Sequence, residues 1–124
     1  MRELTRAEDE IMQHLWNLKQ AFVKDIIALM PEPKPAYTTV STIIRILDKK
    51  GFVGHRAYGK THEYYPLISR KEYTRGYMKN FMSSYFSNSF KEMVSFFAKE
   101  DNISVAELDE MMKEVKKEIE KKGE

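Results

Sequence analysis

The run from Ala36 to Pro66 constrains the fold more than any other part of this chain. Val40, Ile43, Ile44 and Leu47 recur with the period of one helical face, while Thr38, Ser41, Thr42, Arg45 and Lys49 share another. Gly51 follows where a helix needs a left-handed terminal residue. Two β-prone arms, Phe52–Arg56 and His62–Pro66, then flank a Tyr58-Gly59-Lys60 turn. A helix destined for the core would not carry hydroxyls and cations along one stripe. The spacing predicts a half-buried helix with a basic hairpin beside it.

The preceding residues supply two more helices. Thr5 and Glu8 have the capping-box spacing, and Ala7, Ile11, Met12, Leu15 and Trp16 keep a helical period to about Asn17. After a short link with room for one extended strand, Val23, Ile26, Ile27 and Met30 mark a brief helix. Pro31, Pro33 and Pro35 end it. Three helices and then a hairpin is the order of a winged helix-turn-helix. From Ser69 onward the chain reads as helical throughout, with Ser69/Glu72 and Ser104/Glu107 as further capping pairs. The predicted fold is therefore mainly α with a small β-wing. A winged helix-turn-helix DNA-binding domain spans residues 1–68, and a helical dimerisation region spans residues 69–124.

Charge is distributed to match. The net charge of +2 is too small to name a partner, but residues 33–66 hold six Lys/Arg against Asp48 and Glu63. Residues 100–124 hold nine acids against five lysines, so the tail is acidic. Hydroxyls can donate, accept and offer a methyl to thymine, so Thr38, Thr39, Ser41 and Thr42 are expected near base edges or phosphates of double-stranded DNA. Arg45 is expected to reach a guanine or a phosphate. Arg56, Lys60 and His62 in the wing are expected on phosphates, which orient without reading sequence. Lys49, at the far end of the helix, suits either a phosphate or the helix dipole.

Other chemistries are poorly served. There is no cysteine, hence no disulfide and no thiolate metal site. His55 and His62 are placed to face each other across the hairpin, yet no acidic or histidine partner stands at metal-ligand spacing, so no metal or cofactor is expected. No phosphate loop, nucleophile elbow or HExxH motif is present, so no enzyme activity is expected. The charged N-terminus lacks a secretory apolar region, and no apolar run approaches a membrane span. A cytoplasmic protein without direct membrane binding is expected.

Eight of the fifteen aromatic residues lie between Tyr73 and Phe97, too many for three thin helices to bury alone. Tyr73, Tyr77, Phe81 and Tyr85 are predicted to share one helical face. Phe90, Met93, Val94 and Phe97 mark a second helix, and Val105, Leu108, Met112, Val115 and Ile119 form a short heptad-like seam. Homodimerisation through Tyr77, Phe81, Phe90, Val94, Phe97, Leu108, Met112 and Val115 is the simplest outlet.

Leu4-Thr5-x-Ala7-Glu8-x-x-Ile11-Met12-x-x-Leu15-Trp16, Ala36-Tyr37-Thr38-Thr39-Val40, Lys50-Gly51 and Gly59-Lys60-Thr61-His62-Glu63-Tyr64-Tyr65-Pro66 resemble the penicillinase-repressor (BlaI/MecI/CopY) family. The resemblance is close over the first 66 residues and lies in helical layout beyond Ser69. It implies a dimeric winged-helix repressor on a palindromic operator. In the antibiotic-resistance branch, a membrane sensor protease leads to cleavage in the C-terminal helices, within a pattern like Asn-Phe-Ala-Lys. The aligned residues here are Phe96-Phe97-Ala98-Lys99, with Phe96 in the Asn position. The copper-responsive branch carries cysteine pairs that this chain lacks. The competing reading is a protein–protein adaptor that uses the winged helix and aromatic arm without DNA. Salt separates the two, because DNA binding weakens steeply with salt and an aromatic interface hardly responds.

Overall fold

The computed structural model describes residues 3–123, arranged as six helices and three strands. Two compact units divide the chain, Met1–Tyr77 and Met78–Glu124.

In the first unit, α1 (Arg6–Leu18), α2 (Val23–Leu29) and α3 (Tyr37–Lys49) pack around a core of Ile11, Met12, Leu15, Ile26, Val40, Ile44 and Leu47. The capping box of α1 forms as its sequence requires. The Glu8 amide donates to Thr5 Oγ1 at 3.2 Å, and the Thr5 amide donates to Glu8 Oε1 at 2.9 Å. At the start of α2 the Phe22 amide donates to Asp25 Oδ2. The end of α2 is closed from a distance: Lys34 Nζ donates to the carbonyls of Ile27, Ala28 and Met30, helped by the prolines that fold the chain back.

The link after α1 does form a strand, β1 (Ala21–Phe22), which pairs antiparallel with β3 (Thr61–Pro66). With β2 (Val53–Tyr58) the sheet order is β1-β3-β2. The arms run one or two residues closer to the turn than the sequence suggests, because Gly59 takes φ +63° and lets Tyr58 pair directly with Thr61. Gly51, at φ +84°, ends α3 and turns the chain into Phe52, which is buried. Val53 and Tyr64 fasten the inner sheet face to the core.

The helix α4 (Arg70–Phe86) begins at the Ser69/Glu72 cap, where the Glu72 amide donates to Ser69 Oγ at 3.0 Å. Tyr73, expected on a face with Tyr77, Phe81 and Tyr85, has its ring 6.2 Å from that of Tyr77 and also belongs to the first unit's core. Its ring packs near Trp16 and Phe52, and its hydroxyl accepts the Leu4 amide at 2.9 Å. Trp16 donates its indole N–H to the Ile68 carbonyl, and Arg70 lies over the Trp16 ring while reaching Asn17.

The second unit holds the rest of α4, α5 (Phe90–Glu100) and α6 (Val105–Gly123). Ser89 caps α5 and Ser104 caps α6, each accepting from the amide three residues on. Among its described residues none is buried.

Candidate nucleic-acid interface

The outer face of α3 carries Thr38, Thr39, Thr42, Arg45 and Lys49, all solvent-accessible. The inner face of the same helix buries Val40, Ile44 and Leu47, so packing fixes which way the stripe looks. Thr42 Oγ1 donates to the Thr38 carbonyl at 2.8 Å. That bond orients the hydroxyl back along the helix.

Ser41 departs from expectation. It is 7% exposed and cannot present its hydroxyl to a base edge. Instead Ser41 Oγ accepts from Arg45 Nη2 at 3.1 Å. The reason is rotational: one residue after Val40, Ser41 sits on the edge of the buried arc, and its small side chain fits there. Arg45 is thereby tethered while its remaining N–H groups stay available. Ile43 is only partly buried, on the opposite edge of the arc.

The structure also sorts the cations. Lys34 is committed to the end of α2, and Lys50 Nζ donates to Glu8 Oε2 at 2.8 Å, across from α1. Burial pushes the Glu8 carboxyl upward, but the Lys50 ammonium and the Thr5 amide and hydroxyl outweigh it, so its pKa lies below the usual glutamate value. Arg45, Lys49, Arg56 and Lys60 are left accessible along α3 and the wing.

In the wing, strand alternation divides the side chains between two faces. Arg56 and Tyr65 share the outer face, with the guanidinium 5.6 Å from the ring centroid. Gly54 makes room there, since a Cβ at that position would stand 2.8 Å from the Tyr65 ring. The other face, which looks toward α3, carries His55, His62 and Tyr64. The two imidazoles stack with centroids 4.4 Å apart and planes at 11°. An acidic partner does stand beside them, contrary to the sequence reading: Asp48 Oδ2 of α3 is 2.6 Å from His55 Nδ1. The sequence held a signal for this pairing. Val53 is buried, so by alternation His55 must point to the same side as the helix. Burial and the nearby Asp48 carboxylate raise the Tyr64 phenol above its ordinary pKa, although Arg45 opposes them. Among the described residues no group of three or more His, Asp or Glu is placed to hold a metal ion.

The residues expected to dimerise lie on the second unit, apart from Tyr77, which belongs to the first. Phe81 packs near Tyr85 and Phe86, and Phe86 near Phe96 and Phe97. Phe90, Phe97, Met112 and Val115 remain exposed, with Val94 and Leu108 partly covered. Among the described residues no helix is long and apolar enough to cross a membrane.

Comparison with known proteins fits this geometry. The sequence profile of the penicillinase repressor family matches residues 4–117. The methicillin resistance regulatory protein MecI of Staphylococcus aureus is 29% identical over 110 residues, covering 88% of this chain and 89% of the relative. The penicillinase repressor of Bacillus licheniformis is 24% identical over 110 residues, covering 88% and 86%. The solution structure of the DNA-binding domain of the repressor BlaI superposes with a TM-score of 0.50 at 26% identity. It covers 59% of this chain and 94% of that domain.

Proposed function

The chain belongs to the penicillinase repressor family, and we propose that it silences genes as a homodimer whose two winged helices grip a palindromic operator. It is a transcriptional repressor, not an enzyme. The observation that carries the DNA reading is the α3 stripe of Thr38, Thr39, Thr42, Arg45 and Lys49, presented by a helix whose other face is locked into the core. In this reading α3 lies in the major groove, the threonines and Arg45 meet base edges, and Arg56 and Lys60 hold phosphates.

Dimerisation rests on the second unit. Its apolar residues have too little partner surface within one chain, and a second copy supplies the missing partner. Release follows from damage to that unit. Phe96 and Phe97 are 48% and 44% exposed, and a cut between them removes α6. Each winged helix then holds one half-site alone, forfeiting a linkage gain of about 10²–10⁴-fold. A membrane sensor protease pathway is the upstream signal in this scheme.

Two experiments on native cells test the proposal. DNA co-immunoprecipitated with the full-length chain should map to discrete sites upstream of genes, and an even genomic background would contradict operator binding. An immunoblot taken as cells meet a cell-wall antibiotic should show loss of the intact band as target genes turn on. Induction with an undiminished band would exclude proteolytic release.

A further inference from the structure

The Asp48–His55–His62 array joins α3 to the wing and lies outside the buried core. The core is closed without it, and all three side chains are solvent-accessible. Its order is definite. Asp48 leaves α3 at its last turn, His55 Nδ1 meets Asp48 Oδ2 at 2.6 Å, and His62 lies flat on His55 at 4.4 Å. Because a carboxylate only accepts, His55 Nδ1 carries the proton in this hydrogen bond. A proton added to the ring then sits against an anion.

We infer that Asp48 and His55 are positioning residues that hold His62 as a proton-linked phosphate ligand, so that DNA binding takes up a proton at the histidine stack. The inference rests on the DNA-binding reading above. Histidine titrates near pH 6.5, within the range in which proteins work. Around the stack, α3 contributes the Asp48 carboxylate and β3 the Tyr64 ring; Arg45 acts on Tyr64, and Lys24 lines the same cleft as Tyr37 and His62. A duplex phosphate beside His62 favours the protonated imidazole, because it places an anion against the ring. Affinity therefore rises as pH falls through the histidine range, and by linkage DNA raises the protonation of the stack.

The experiment is fluorescence anisotropy on the full-length chain with a mixed-sequence duplex of about 30 base pairs, at fixed low ionic strength, from pH 8 to pH 6. The wild type should bind about three- to tenfold tighter at pH 6 than at pH 8. H62F keeps an aromatic ring on the stack but cannot take a proton, and it should flatten the pH profile. D48N removes the anion that holds His55 and should reduce the pH dependence, a change that a purely structural role would not produce. H14Q, a control in α1, should keep the wild-type slope. Binding whose pH slope survives in H62F would overturn this inference alone. Absence of binding at every pH would overturn the DNA reading, and this inference with it.

Discussion

Glu8 shows how one side chain can serve two levels of structure. It closes the capping box of α1 and receives Lys50 from the far side of the core, while being only 3% exposed. The sequence disclosed the first role through the Thr5 spacing, but not the second, since Lys50 is brought near by tertiary folding alone. Glu8→Gln should destabilise the first unit by about 1–3 kcal/mol at pH 7, by removing a charged hydrogen bond in a covered site. The folded carboxyl has a lowered pKa, so its contribution is complete above the ordinary value of 4.5 and fades as pH falls through the depressed one. Thermal melts from pH 7 to pH 3 should therefore converge for wild type and Glu8→Gln at the acid end. A gap that stays constant with pH would show that the carboxylate's charge is not what Lys50 recognises. Ser41 is the residue whose environment the sequence concealed. Periodicity cannot resolve which side of an arc boundary a small residue takes, and only the Arg45 hydrogen bond reveals why this position tolerates burial.

At the scale of elements, α3 and the hairpin were legible because their signals are local: an apolar period, Gly51, and Gly59 at a turn. Their coupling was only half legible: strand alternation places His55 on the α3 side, but the His55–Asp48 hydrogen bond joins residues on either side of Gly51 through space. Substitutions should separate the two elements by function. Thr42→Ala and Arg45→Ala should change sequence preference, at about 1–3 kcal/mol for each base-edge interaction removed. Lys60→Ala should weaken all sequences alike and flatten the logarithmic salt slope by about one unit. Binding isotherms on matched and mutated duplexes between low and moderate salt distinguish these outcomes. If specificity disappeared in Lys60→Ala but survived in Arg45→Ala, the assignment of helix and wing would be reversed. Gly54→Ala offers a structural check on the wing, because the new Cβ must displace the Tyr65 ring and with it the support under Arg56. It should leave α1–α3 intact while weakening DNA binding.

For the whole molecule, the contrast between the units is the main physical fact: one has a closed core, and the other has no buried residue among those described. The excess of aromatics announced this surplus of apolar surface from sequence, but the proposed pairing with a second copy has no local pattern from which to read its register. Each Leu- or Phe-sized side chain that a partner covers contributes about 1.5–3 kcal/mol. Leu108→Asp combined with Val115→Asp should shift the mass seen by light scattering from dimer toward monomer. An unchanged dimer would place the interface elsewhere. A dimer that reads DNA through α3 must choose symmetric sites. The most direct measurement is selection of duplexes from a random-sequence library by the full-length chain, with Arg45→Ala run in parallel. The wild type should enrich inverted half-sites about one helical turn or a multiple apart, and Arg45→Ala should alter the bases within each half. Enrichment of no sequence, or of the same sequence by both proteins, would show that α3 does not read an operator.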